Sequence, residues 1–345
     1  MKTSISYYLI ILTALVLTSC ATPQMFTTLD LLRPAVVTFE PGVKNVVIVN
    51  NSVVQPYNVG HFNLRVAGGD KNSETLKFDS AALFCNASLR EQLESKEFFD
   101  QVRMAQTNQN KTDNFYKIAP LDKETIKFLC DLYQADAIIS LDHIQTSDII
   151  GDYYENYTLV SALDVKVISS WSINYPDNTA SSHKQFTDEF SWEETSSKNL
   201  PERYDALIDA CILTGSNVAE RLIPRWEKQD RYFFTPNKPL MQQAMDSVEV
   251  RNWKSAISLW KQASDQTKSY KTKFHAANNM AIAYEILGDI DNALSACEIA
   301  INFYPNIVAV GFKENRDIYE TLNYYNFLKK RKEEIDLISK QLSEK

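Results

Sequence analysis

Ala277-Asn278-Asn279-Met280-Ala281-Ile282-Ala283-Tyr284-Glu285-Ile286-Leu287-Gly288-Asp289-Ile290-Asp291-Asn292-Ala293-Leu294-Ser295-Ala296-Cys297-Glu298-Ile299-Ala300 reads as two helices and the turn between them. Small residues recur at Ala277, Ala281, Ala293 and Ala300, so one helix can approach the other closely. Tyr284 and Leu287 fill the space between, Gly288 permits the tight turn, and Pro305 closes the second helix. Upstream, Ala244, Ala256, Trp260 and Ala263 occupy the matching places 37 positions earlier. The chain therefore repeats a helical hairpin.

The positions Ala277, Met280, Ala281, Tyr284, Gly288, Ala293, Cys297, Ala300 and Pro305 resemble the tetratricopeptide consensus, a 34-residue repeat here lengthened by three residues in the link. Residues 307–342, rich in Tyr and Leu and then in Lys and Glu, read as a degenerate repeat or a capping helix with a solvated face. In such repeats the first helix of each unit lines a concave surface that receives an extended peptide. The resemblance thus implies a partner site at Lys273, Asn278 and Asn279. An asparagine can bond a peptide backbone in both directions; the plainer reading makes these solvated helix residues.

Ahead of the repeats the pattern changes. Val46-Val47-Ile48-Val49 is a strand candidate entered from Pro41-Gly42. Ala82, Cys85, Leu89 and Leu93 mark one helix face, and Phe98-Phe99-Asp100-Gln101-Val102 a short strand. A helix capped by Asp122 carries Ile126, Leu129, Cys130 and Tyr133, and passes through Ala135-Asp136 into Ala137-Ile138-Ile139-Ser140-Leu141. Tyr157 to Ser169 and Lys184 to Trp192 alternate as strands, and a helix from Pro201 stops at Pro224. Residues 55–75 and 106–114 read as polar loops.

The fold class is therefore α+β, a layered sheet-and-helix domain followed by an all-α helical-repeat domain. Expected boundaries are a tether over 20–44, the sheet domain over 45–235 and the repeats over 236–345. The order over about 45–226 resembles a domain shared by the N-terminal part of the Tol-Pal periplasmic protein, the curli secretion lipoprotein and lipoprotein activators of penicillin-binding proteins. The whole arrangement resembles Bacteroidota lipoproteins without an established activity.

The address comes from the N-terminus. Lys2 precedes an apolar run from Tyr7 to Leu17, and Leu17-Thr18-Ser19-Cys20 ends it. That describes a secretory signal over 1–19, too short for a hydrocarbon core that needs roughly 20 apolar residues. It resembles a bacterial lipoprotein signal, which implies acylation of Cys20 and a lipid anchor in the membrane. Ala21-Thr22-Pro23-Gln24 lacks both the Asp of inner-membrane retention and an acidic surface-export cluster. The resemblance then implies the outer membrane's periplasmic face.

Of 345 residues, removal of the signal leaves 326, and loss of Lys2 moves the formal charge from −8 to −9. An acidic chain gains no counterion release on nucleic acid, so no nucleic-acid partner is expected. Cys85, Cys130, Cys211 and Cys297 sit on apolar helix faces without a C-x-x-C, the pattern of buried free thiols. Only eight glycines, and no phosphate-cradling, nucleophile-elbow or zinc-helix motif, argue against an enzyme. No cofactor and no metal are expected.

Two weaker constellations remain. His61, His143, His183 and His275 are scattered. Asp136, Asp142, His143 and Asp148 lie near a strand end, where α/β sheets present functional groups, although each also reads as a loop or helix-end residue. Tyr153, Tyr154, Tyr157, Trp171, Tyr175 and Trp192 fit either a glycan- or peptide-binding face or, at period two, core packing. Asp79-Ser80-Ala81 and Asp246-Ser247-Val248 resemble the O-glycosylation acceptor of Bacteroidota. The expectation is an envelope adaptor or assembly factor that binds another envelope protein. Its alternatives are an activator of a cell-wall synthase and an unrecognised hydrolase.

Overall fold

Val46, Val47, Ile48 and Val49 are all buried, as befits a parallel strand covered on both faces. They form an inner strand of a seven-stranded mixed sheet. The computed structural model describes residues 24–64, 71–177, 179, 181–308 and 316–343. The expected signal and Cys20 lie outside the described residues. In chain order the elements are β1 (Gln24–Arg33), β2 (Asn45–Asn50), β3 (His61–Leu64), β4 (Lys71–Ser73), α1 (Ala81–Ser95), β5 (Gln101–Met104), α2 (Lys123–Tyr133), β6 (Ala137–Glu155), β7 (Thr158–Asn174) and β8 (Ser182–Glu194). There follow α3 (Arg203–Leu222), β9 (Arg225–Phe234), α4 (Pro239–Glu249), α5 (Trp253–Gln266), α6 (Tyr270–Ile286), α7 (Ile290–Asn302), α8 (Tyr304–Val308) and α9 (Arg316–Ser343). The expected fold class is the one observed.

The chain divides into two compact units. One holds Pro34–Arg225 with the residues from Ile338 on; the other holds the described residues up to Arg33 with Trp226–Leu337. In the first, β6 is the spine. One edge pairs in parallel with β2 through Ala137 to Leu141 and then with β3 through Asp148 to Gly151, while β7 runs antiparallel along the other. β5 adds in parallel to β2, and β8 antiparallel to β7. Helices α1 and α3 cover one face through Cys85, Leu89, Leu93, Leu207, Cys211 and Val218. Gly215 lets them touch, since a Cβ there would lie 2.2 Å from the Cys85 carbonyl oxygen. Helix α2 covers the other face of β2 with Ile126, Leu129 and Cys130, and Asp122 caps it by accepting the Thr125 N–H.

Three expectations change. The strand expected over 137–141 runs on to Glu155, because a bulge between Leu141 and His143 absorbs the polar pair and keeps Ile144, Thr146 and Asp148 inward. The loop expected over 55–75 contains β3, paired to the far part of β6, and β4, paired antiparallel to β3. The tether expected over 20–44 contains β1, which pairs with β9 in a two-stranded sheet; Met25, Thr27, Leu29 and Leu31 alternate with the exposed Phe26, Thr28 and Asp30.

In the second unit, α4 to α7 pack consecutively, each on the next. Asn252, Ser269 and Asp289 cap three of these helices with side-chain oxygens. Ala244, Ala256, Ala281, Ala293 and Ala300 are fully buried, as the packing argument requires, whereas Leu287 is exposed. Gly288 takes φ +77°, the left-handed conformation the turn demands. Pro305 falls in the first turn of α8, where a missing N–H costs nothing. The four described cysteines are buried free thiols. Burial pushes Cys130 up to about 11 and Cys211 and Cys297 up to about 12, so none is a thiolate at neutral pH. No helix among the described residues is long and apolar enough to cross a membrane.

Candidate functional site

The residues expected to meet a partner lie on α6, and the face they form already carries a strand. Phe234, fully buried at the end of β9, donates its backbone N–H to Asn279 Oδ1 and accepts from Asn279 Nδ2, both at 2.8 Å. Asn279 therefore bonds a peptide backbone in both directions, as its chemistry allows, but the peptide belongs to the same chain. It is not an open partner-binding residue. Aromatic stacking holds the strand beside this pair. The Phe233 ring lies 5.6 Å from Trp260 and 6.3 Å from Trp253, nearly parallel to both, and Phe234 stacks on His275 at 4.2 Å.

Three residues before Phe234 on β9, Arg231 is buried and makes a bidentate pair with Glu285 at 2.7 and 2.8 Å. The Tyr324 hydroxyl donates to the same carboxylate at 2.7 Å. The guanidinium carbon sits 4.3 Å from the Phe327 ring centroid and 5.0 Å from that of Tyr324. Buried ion pairs need such additional bonds to offset desolvation. Burial, with the neighbouring Glu285 charge, holds the Tyr324 phenol well above its ordinary range.

A partly open cavity of about 340 Å³ lies against this part of β9. Gln229, Asp230 and Tyr232 form one wall, Asn278 and Ile282 of α6 another, and Glu320, Asn323 and Phe327 of α9 the third. Asn278 is 98% buried. The Thr321 hydroxyl engages its Oδ1 at 2.9 Å, and its Nδ2 has no partner among the described residues. Lys273 lies apart, with its ammonium 5.8 Å from the Phe303 ring. Of the three expected partner residues, only Asn278 lines the cavity. The expected lipidation residue, Cys20, falls outside the described residues.

The acidic constellation of the sheet unit is used locally and does not converge. Asp136 accepts the backbone N–H groups of Lys44 and Asn45 at 2.9 and 2.7 Å, joining β6 to the start of β2. Asp142 accepts from Asn51 and Ser140. His143 packs on Phe115, and burial lowers its pKa. No spacing or motif links His61 to Asp148, 87 positions apart. They are buried in contact, and Arg203 reaches the second Asp148 oxygen at 2.8 Å, out of line for a hydrogen bond. Arg203 also donates to Asn63 Oδ1 and the Phe62 carbonyl and pairs with Glu74. This cluster fastens β3 to β6 and α3. His183 is exposed on β8, opposite Ser172.

Trp171 and Tyr175 are buried and Trp192 packs against the core, which is the packing role. Tyr154 and Tyr157 are exposed near the β6–β7 turn, where Asn156 and Tyr157 take positive φ. Ser80 stands at the N-cap of α1, and the Ser247 hydroxyl bonds the Gln243 carbonyl within α4. No group of three metal-binding side chains gathers among the described residues.

Residues 43–234 match a family model described as a domain of unknown function (DUF8603). Residues 242–330 match a second, also described as a domain of unknown function (DUF6340). Comparison with curated proteins gave no match.

Proposed function

The chain belongs to the DUF8603 family, whose description names no activity, and from that premise we propose that it is a non-enzymatic binding protein of the cell envelope. It acts as an adaptor or assembly factor through tetratricopeptide-like repeats, anchored by lipid on Cys20 at the periplasmic face of the outer membrane. One observation carries the reading. Helix α6 holds an extended strand by its backbone through Asn279 and stacks His275 on Phe234, while Trp253 and Trp260 of α5 stack on Phe233. A surface with that chemistry, and with an open cavity beside the strand, suits recognition of another polypeptide. The hydrolase alternative draws no support from Asp142 and His143, whose contacts are with Asn51, Ser140 and Phe115.

The test is site-specific photocrosslinking in intact envelopes. Crosslinkers go to the exposed positions Asn323 on α9 and Lys261 on α5, and to Thr187 on the exposed face of β8. A discrete protein adduct from Asn323 or Lys261 supports the repeats as the binding unit. Adducts from Thr187 alone would instead support the synthase-activator reading through the sheet unit.

A further inference from the structure

We propose that the cavity beside β9 is a strand-addition site. It takes a short extended segment of a partner polypeptide, paired to the outer edge of β9 and carrying a lysine or arginine side chain. The inference rests on the reading of the helical unit as a protein-binding module, and adds to it the mode and chemistry of recognition.

The edge is located by Phe234. Its N–H and C=O both meet Asn279, on the α6 side. Along a strand, alternate residues turn their backbone groups to the same edge. Tyr232 and Asp230 therefore turn theirs toward α6 as well, and both residues line the cavity. The Asp230 carbonyl already accepts from Arg231 Nη1 at 2.9 Å. By the same alternation the Tyr232 N–H and C=O and the Asp230 N–H face the wall of the cavity, a pattern that another extended backbone complements. At about 3.3 Å of rise per residue, these groups span two to three residues of an incoming strand. The cavity, about 340 Å³, is near the lower end of the usual ligand range of roughly 300–1,000 Å³.

Asn278 supplies an independent pointer. Its amide is almost wholly buried, one end is held by Thr321, and the other end gives onto the cavity without a partner among the described residues. Exchanging the amide's nitrogen and oxygen would trade a free donor for a free acceptor. A peptide backbone satisfies either, since it offers both.

Charge selects the side chain. Arg231 is neutralised by Glu285, so the remaining charges on the walls are the carboxylates of Asp230 and Glu320. Among the described residues, the Asp230 carboxylate accepts the Thr28 hydroxyl. Glu320 is paired with Arg316, whose side chain is 86% exposed. A surface pair of this kind contributes little, so an incoming cation displaces it readily.

The probe is a set of acetylated, amidated pentapeptides of alternating Thr and Val with a central Lys or Glu, read by fluorescence polarisation against the full chain in detergent micelles. The Lys peptide is expected to bind at least tenfold more tightly than the Glu peptide, and N-methylation of its backbone to abolish binding. Glu320→Gln should reduce the Lys preference several-fold without removing binding, while Asn323→Trp, at an exposed cavity position, should block it. Binding that ignores N-methylation, a preference for Glu, or no binding by any peptide overturns the proposal. The broader reading is judged separately: a crosslinked partner that persists in Asn323→Trp envelopes leaves the repeats as the binding unit and eliminates this cavity as the site.

Discussion

Replacing Asn279 by Leu tests the contact on which the helical unit's face is built. The two side chains have similar volume, so the substitution removes polarity with little change in packing. Two hydrogen bonds of 2.8 Å disappear, and the Phe234 N–H and C=O, on a residue with no exposed surface, lose their partners. An unsatisfied buried polar group costs about 1–3 kcal/mol, so the pair costs about 2–6 kcal/mol, centred near 4 kcal/mol. Against a typical domain stability of about 5–15 kcal/mol, that is a large fraction. For a unit of this size it corresponds to a fall in Tm of about 15 °C, taking about 4 °C per kcal/mol. Urea unfolding followed by tryptophan fluorescence reads it, because Trp253 and Trp260 stack on Phe233 of the same strand. Hydrogen exchange at the Phe234 amide reports the release of β9 directly. A variant within about 0.5 kcal/mol of the parent, the usual range for inconsequential surface changes, with the Phe234 amide still protected, would refute the assignment of Asn279 as the clamp.

Further consequences follow from single contacts. Gly215→Ala places a Cβ 2.2 Å from the Cys85 carbonyl oxygen and 2.9 Å from Ser88 Cβ, and is expected to cost about 1–3 kcal/mol or more by overpacking; equal urea midpoints would show that α1 and α3 can separate freely. Arg231→Met strands the buried Glu285 carboxylate and should cost about 3–5 kcal/mol, whereas Arg231→Met with Glu285→Leu should recover most of it. A double-mutant cycle without coupling contradicts this. Burial lowers the pKa of both His143 and His275, in the latter case against the opposing pull of Asp317. Their folded values lie below the unfolded value of about 6.5, so the unfolded chain takes up protons first. Their contribution is thus complete above about pH 7 and is lost as pH falls below 6.5 toward the folded values. The urea midpoint should drop between pH 7.5 and pH 5.5, and less in His143→Phe; an unchanged drop in that variant removes His143 as a source.

The helical unit was legible because its signals are local. Alanines at matching positions in consecutive helices, caps at Asn252, Ser269 and Asp289, and a glycine at the turn all act within a few residues of where they stand. The sheet unit was legible where strands are apolar, as at Val46 to Val49, and misread where they are not. β6 continues past Asp142 and His143 because β7 pairs with it along its whole length, and no property of residues 142–155 alone announces that partner. β3 and β4 are too short for periodicity; β3 exists because the far part of β6 offers it an edge, and β4 because β3 then offers one in turn.

The same distinction governs the candidate site. Arg225–Phe234 carries Glu227, Lys228, Asp230 and Arg231, a poor advertisement for a strand with a buried end. It becomes affordable only because Glu285, 54 positions on, neutralises Arg231, and because β1, some 200 positions back, supplies the pairing. Asn278 and Asn279 stand out by residue type, since an amide can bond a backbone both ways. Their roles diverge because adjacent helix residues point about 100° apart: one amide closes on β9 and the next gives onto the cavity. The chemistry that made them candidates for an outside peptide is the chemistry that retains an inside one. Sequence can name that capacity, but only the fold decides which of the two asparagines is already spent.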